Sequence, residues 1–375
     1  MHHHPDAHFL LSILYPVDET RDSVKEYYGE TLQTSDDLKT NACCTGAKPA
    51  SYVQQLISNL HPDTIARYYG CGLCLPERDL NGKAILDLGC GAGRDVYIAS
   101  QMVGATGRVV GVDMTEQQLE AAESKQDYHA DAFGFANTAF HQGYLETLSE
   151  IPALKEAEQF DVIISNCVLN LCTDKKAVLD HCYRLLKPGG EFYFSDVYAS
   201  RRVPEPLQKD PVLYGECLSG ALYWNDFENL AIASGFSDPR LVEDAPITIE
   251  NAQLSEKVEG IEFYSATYRL WKLPEKLEPA CEDYGQAVIY KGTLPRHPIK
   301  WTLDKGHVFE TGRIHPVCGN TWYMLEAAAK EHFDFVGNFD THYGIFEGCG
   351  DTLPYSTGSA DSSGGKGEAS GNSCC

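Results

Sequence analysis

Positive charge is scarce in this chain. Of its 375 residues, 30 are Lys or Arg and 54 are Asp or Glu, which gives a formal net charge of −24. Such a field repels nucleic acid and anionic membrane surfaces, so the sequence predicts binding to neither. Long hydrophobic runs are also missing, and nothing approaches the roughly 18 apolar residues of a spanning helix. The stretch HFLLSILYP at 8–16 is too short to span and has no Lys or Arg before it, which argues against a signal peptide. There is no internal repeat. With 43% hydrophobic and 22% charged residues, the composition is that of a soluble globular chain rather than a disordered one.

Cysteine is the opposite case, with fourteen residues. A secreted disulfide scaffold would be short and loop-rich, and this chain is neither. A reduced, cytoplasmic setting is the expectation, with many of the thiols simply buried.

Residues 1–48 carry no strand signal. HHHPDAH (2–8) reads as a tag-like start, and 23–33 has the spacing of one short helix. Amphipathic helices are expected at about 50–59 and at 61–70, the second opened by Pro62 and Asp63 and stopped by Gly70. From residue 83 strands alternate with helices. Strands are predicted at 83–89, 108–114, 139–144, 160–166 and 190–197, and helices near 94–103, 115–132 and 174–187. A further helix is expected at 219–236, then strands at 239–244 and 262–273. Apolar strands alternating with helices imply an α/β fold: a doubly wound, mostly parallel sheet with helices on both faces. The Pro- and Glu-rich stretch 274–285 marks a boundary, followed by a smaller α+β C-terminal unit. Residues 356–375 hold eleven Gly or Ser, end in Cys374 and Cys375, and read as a disordered tail.

The segment DLGCGAGRD (87–95) follows a strand and opens a helix. Gly89, Gly91 and Gly93 let the backbone turn tightly and approach a ligand. The third glycine of the dinucleotide motif G-x-G-x-x-G is missing, and Arg94 is the only base in the loop. Asp113 ends the second strand, where a carboxylate takes ribose hydroxyls. A nucleoside without a diphosphate fits these features. Together with Asp87 and GYLETL (143–148), they resemble the S-adenosylmethionine core of class I methyltransferases. That resemblance implies ribose binding by Asp113, an adenine flanked by Gly143, Tyr144 and Leu145, and Asp87 near the amino-acid end of the ligand. Met114 and Asn166 complete the expected cofactor set.

The Asn/Asp-Pro-Pro-aromatic signature of many amine and nucleic-acid methyltransferases is lacking at the end of the fourth strand. That place reads SNCVLNLC (165–172), with Cys167 at the carboxyl edge of the sheet, where ligands bind in such folds. Cys217 lies in YGECLSGALYW, Cys71 in ARYYGCGLC, and Cys43 beside Cys44 in TNACCTGAKP. From about residue 19 to 290 these blocks resemble the arsenic(III) S-adenosylmethionine methyltransferases. The resemblance implies arsenic-ligand roles for Cys71, Cys167 and Cys217, and a disulfide relay between Cys71 and Cys43, with Cys44 as the alternative to Cys43. It also implies arsenite and methylarsenite as thiol adducts, thioredoxin or glutathione as reductant, and no metal cofactor. Trivalent arsenic is soft and prefers thiolates. Its lone pair carries no proton, so attack on a methyl group needs no general base.

Bland roles remain for other cysteines. Cys74 would complete only half a zinc site with Cys71. Cys90 reads as a loop residue, and Cys172, Cys182, Cys281, Cys318 and Cys349 as packing residues. Two other functions stay open: methylation of another small molecule, and a non-enzymatic soft-metal thiol protein. The expected division is an arm at 1–48, an S-adenosylmethionine-binding domain at 49–200 and an arsenic-binding segment completing the sheet at 201–273. A C-terminal domain at 274–352 and a tail at 353–375 follow.

Overall fold

Apolar runs of five to seven residues, broken by glycine or polar turns, build the centre of the molecule. The computed structural model describes residues 50–67, 73–215, 217–249 and 251–349. The expected helix at 23–33, Cys43, Cys44, Gly70, Cys71 and the 353–375 tail lie outside the described residues. Strands β1 (Ala84–Leu88), β2 (Arg108–Asp113), β3 (Thr138–Gln142), β4 (Phe160–Asn166) and β5 (Leu186–Ala199) pair in parallel. A short β6 (Leu222–Tyr223) joins β5 in parallel, while β7 (Arg240–Pro246) and β8 (Phe263–Trp271) close the edge antiparallel. The order is β3-β2-β1-β4-β5-β8-β7.

All five residues of β1 are buried. Ile85 faces a core shared with the helix Arg94–Val103, while Leu86 and Leu88 face the core shared with the helix Lys175–Leu185. Alternate residues of one strand thus enter two different cores, as a sheet covered on both faces requires.

Four expected elements differ clearly in extent. The helix expected over 115–132 is two helices, Glu116–Glu123 and Gln126–Phe133, broken where the Ser124 hydroxyl donates back to the Ala121 carbonyl. The helix expected over 219–236 starts only at Trp224, because Leu222 and Tyr223 are taken by β5. The second N-terminal helix covers Pro62–Ala66. Strand β5 begins at Leu186, four residues before the expected start at 190.

Beyond β8, a three-stranded antiparallel sheet has Ala287–Tyr290 at its centre, flanked by Ile314–Pro316 and Phe333–Val336. The hairpin Lys300–Asp304/His307–Glu310 and the helix Gly319–Ala329 pack with it. Their core includes Tyr290, Trp301, Phe309 and Phe333, and also Trp271 from the end of β8. Among the described residues, no helix is long and apolar enough to cross a membrane.

Candidate active site

The strand order reverses between β1 and β4, and ligands in open α/β sheets bind beyond the carboxyl ends of strands at such a point. Both strands end in loops that line one cleft there. Gly89, Gly91 and Gly93 all adopt positive φ (73°, 50° and 82°). A side chain on Gly89 would run into Val168 of the loop after β4. At Gly93 it would meet Tyr97, Ala122 and Phe140, each at 3.1 Å. At Gly91 it would meet nothing within 4 Å, because this glycine borders the cleft. The outer two glycines therefore allow packing, and the middle one leaves room for a ligand.

Asp113 is fixed before any ligand arrives. Its carboxylate accepts hydrogen bonds from the Gly91 N–H at 2.9 Å and the Thr115 N–H at 2.8 Å. Burial raises its pKa even against these donors. Asp87 is 4% exposed, and burial, then the nearby Asp95 and Asp113 carboxylates, push its pKa well up. Arg94 pairs with Asp95 at 3.0 Å, and the Asn166 amide donates to the other Asp95 oxygen at 3.3 Å. Asp87, Asp95, Asp113 and Glu146 line the cleft against Arg67 and Arg94. Crowded buried carboxylates disfavour a phosphate-bearing ligand and favour a cation such as a sulfonium or an ammonium. This is a site S-adenosylmethionine fits: a carboxylate aimed for a ribose, a bare glycine and a surplus of negative charge.

Asn166 ends β4, and Cys167 follows it in the left-handed region at φ 56°. The turn is held from behind. The Cys167 N–H donates to the Ser195 carbonyl at 2.8 Å, and buried Asp196 accepts from the Asn170 N–H at 3.0 Å and the Asn170 amide at 2.7 Å. Burial pushes the Asp196 carboxyl up to about 6. Cys217, also left-handed at φ 61°, lies in the same buried cluster as Cys167 and donates from its Sγ to the Cys167 carbonyl at 3.4 Å. Cys167 is disulfide-bonded. The Lys175 ammonium donates to the carbonyls of Asn170 and Cys172, placing a half-buried cation near the Cys172 and Cys217 sulfurs.

Asp87, Gly89, Gly91, Asp113, Met114, Gly143, Tyr144, Leu145, Asn166 and Cys167 thus share one cleft. Gly93 stands behind it as the helix N-cap, and Cys217 is fully buried beside Cys167. Asp95, Thr115, Gln118 and Glu146 also line the cleft without having been singled out in the sequence. Both Asp95 and Glu146 had a signal, since they lie within the motifs 87–95 and 143–148. Cys172, expected only to pack, is buried yet borders the cleft. Cys74 is a core residue whose thiol donates to the Tyr193 carbonyl at 3.5 Å. Among the described residues, no group of three or more His, Cys, Asp or Glu side chains is placed to hold a metal ion.

A family model described as a methyltransferase domain matches residues 79–235. An arsenite methyltransferase of Aquipseudomonas alcaligenes is 57% identical over 335 residues, covering 89% of this chain and 96% of the relative. The chain belongs to the arsenite methyltransferase family. The arsenite methyltransferase of Mus musculus is 49% identical, over 82% of this chain and 81% of its own length. The crystal structure of an arsenic(III) S-adenosylmethionine methyltransferase from Chlamydomonas reinhardtii superposes with a TM-score of 0.76 at 44% identity. It covers 80% of this chain and 100% of that one. The matched methyltransferase domain covers β1 to β6 of the doubly wound, mostly parallel sheet.

Proposed function

We propose that the chain transfers methyl groups from S-adenosylmethionine to trivalent arsenic held by cysteine thiolates. The observation that carries this reading is the pair at the carboxyl edge of β4, where Cys217 Sγ lies 3.4 Å from the Cys167 carbonyl beside a carboxylate-rich cleft. S-adenosylmethionine supplies an electrophilic methyl group on a sulfonium. Asp113 is assigned to the ribose, Gly91 to close backbone approach, Gly143 to Leu145 to the adenine, and Asp87 to the amino-acid end. Met114 and Asn166 complete that set.

Arsenite fills three positions on arsenic, which Cys71, Cys167 and Cys217 supply together, leaving the lone pair free to attack. The protein aims that lone pair and excludes water, so positioning is its main contribution. The left-handed turns at Cys167 and Cys217 fix the backbone from which these two side chains project. Lys175 favours the thiolate form of Cys217 through its nearby positive charge. Reduction of the Cys167 disulfide has to precede arsenic binding. Methyl transfer leaves arsenic pentavalent. Two thiolates return two electrons to it and become a disulfide, which an external thiol such as thioredoxin or glutathione reduces. Cys71 is assigned to that relay with Cys43, or with Cys44.

The test is single-turnover methyl transfer, run anaerobically with labelled S-adenosylmethionine and excess small thiol. Methylarsenite has one position occupied by carbon and needs only two thiolates. Cys71→Ser is expected to lose methylation of arsenite and keep that of methylarsenite, while Cys167→Ser and Cys217→Ser lose both. If Cys71→Ser abolishes both reactions, the two-thiolate account fails. Label on another acceptor, or metal binding without transfer, overturns the arsenic reading itself.

A further inference from the structure

Three cysteines outside the active-site cleft meet at the far end of the chain. Cys281 leads into the strand Glu282–Asp283, which pairs antiparallel with Gly344–Ile345. The Phe346 N–H donates to the Cys281 carbonyl at 2.7 Å, and the Cys349 N–H donates to the Phe346 carbonyl at 3.0 Å. Cys318 reaches the same point as the N-cap of the helix Gly319–Ala329. The three side chains form a buried cluster of their own, against which Phe346 packs, apart from the cluster that holds Cys167 and Cys217.

Two of the sulfurs are chemically distinct. The Cys281 thiol donates to the Cys318 sulfur. That sulfur also accepts from the Thr321 N–H at 3.4 Å, sits 3.3 Å from the Thr321 hydroxyl, and has the Arg240 guanidinium 4.0 Å away. These groups, the Cys281 hydrogen bond foremost, bring the Cys318 thiol down to about 5. A thiolate beside a thiol is a ready pair for a thiophilic centre. Among the described residues, no group of three or more His, Cys, Asp or Glu side chains is placed to hold a metal ion here. That favours a ligand with two exchangeable positions over a zinc-like ion, which takes four.

We propose that Cys281 and Cys318 form a dithiol site for a monosubstituted trivalent arsenical, namely methylarsenite, separate from the site of methyl transfer. The choice of ligand rests on the arsenic reading above; the juxtaposition of the two sulfurs does not. The Cys318 thiolate displaces one hydroxide from methylarsenite, and that hydroxide leaves as water with the proton of the Cys281 thiol. The Cys281 thiolate displaces the second hydroxide, which takes a proton from solvent. Two arsenic–sulfur bonds form, two arsenic–oxygen bonds break, and arsenic stays trivalent. Entry is from the side of Glu347 and Gly348, which are exposed between Phe346 and Cys349. Such a site holds the once-methylated intermediate on the enzyme while the active-site disulfide is reduced.

The experiment uses the full chain, reduced and anaerobic, titrated with methylarsenite and counted by native mass spectrometry. Cys318→Ser and Cys281→Ser are each expected to bind one equivalent fewer than the unaltered protein. Serine is itself a favoured N-cap, so Cys318→Ser keeps the helix start. Single-turnover methylation of arsenite is expected to stay within about twofold in both variants, since neither residue lines the cleft. Methylarsenite is also expected to shield both Cys281 and Cys318 from alkylation, read by peptide mapping. Unchanged binding in both variants, or shielding of neither cysteine, overturns the proposal. Loss of the equivalent in a protein that transfers no methyl group upholds this site and overturns the arsenic methylation reading.

Discussion

Cys167 and Cys217 carry a backbone cost that most residues avoid. Left-handed φ at a non-glycine costs on the order of 1 kcal/mol, and two such turns in one buried cluster persist only because surrounding bonds fix them. The bonds around Asn170 and Asp196 are that surrounding. Asp113 illustrates the other kind of positioning. Because its two oxygens already accept from Gly91 and Thr115, Asp113→Ala removes the bonds shaping the glycine loop along with the ribose contact proposed above. Asp113→Ala is expected to weaken S-adenosylmethionine binding by about 1–3 kcal/mol, and Asp113→Asn, which keeps one acceptor, by less. Calorimetric titration of both variants measures this, with arsenite binding as the control. Equal loss of cofactor and arsenite would make Asp113 a folding residue.

At the scale of elements, the helix Gln126–Phe133 docks through His129. Its ring is 1% exposed and stacks on Tyr97 of the helix Arg94–Val103 at 3.6 Å between centroids. Its Nε2 accepts from the His61 N–H, and its Nδ1 lies 2.8 Å from the Lys125 carbonyl, so the neutral ring satisfies both neighbours. Burial lowers its pKa to about 4. The unfolded chain therefore binds this proton first, near pH 6.5, and the folded chain only near 4. His129 thus contributes stability in full above pH 6.5, and the contribution is lost as pH falls to about 4, at no more than about 1.4 kcal/mol per pH unit. Urea unfolding at pH 7.5 and 5 is expected to show a smaller drop for His129→Gln than for the unaltered chain. An identical drop in both would remove His129 from the account.

Across the whole molecule, the C-terminal unit is tied to the sheet by a buried ion cluster. Glu191 of β5 is fully buried between Arg78, at 2.9 Å, and Arg269 of β8, at 2.7 Å. Both guanidiniums lie over the Trp271 ring, which belongs to the C-terminal core. Arg269 also donates to the Leu303 carbonyl, and Arg78 to that of Ala327. Removing the single anion would leave two buried cations uncompensated. Glu191→Gln is expected to cost about 3–5 kcal/mol of stability, with both cores melting in one transition by differential scanning calorimetry. A loss below about 1 kcal/mol, or separate transitions, would contradict this coupling.

The succession of strands and helices along the chain, the glycine loop and the residue types for thiol chemistry were all legible in the chain, because they depend on local pattern. Period, spacing and a Gly-rich turn are properties of neighbours in sequence. Boundaries that other parts of the molecule impose were not. The helix at Trp224 starts late because β5 claims Leu222 and Tyr223, and nothing nearby in sequence signals that pairing. Cys172 borders the cleft only through the way loops stack across the sheet edge. Cys281, Cys318 and Cys349 read as packing residues because each stands alone in sequence. The strand pair at Asp283 and Gly344 and the cap of one helix bring them together. Cysteines far apart in the chain gain a shared chemistry only when folding closes the distance, and one sequence holds no direct measure of that distance.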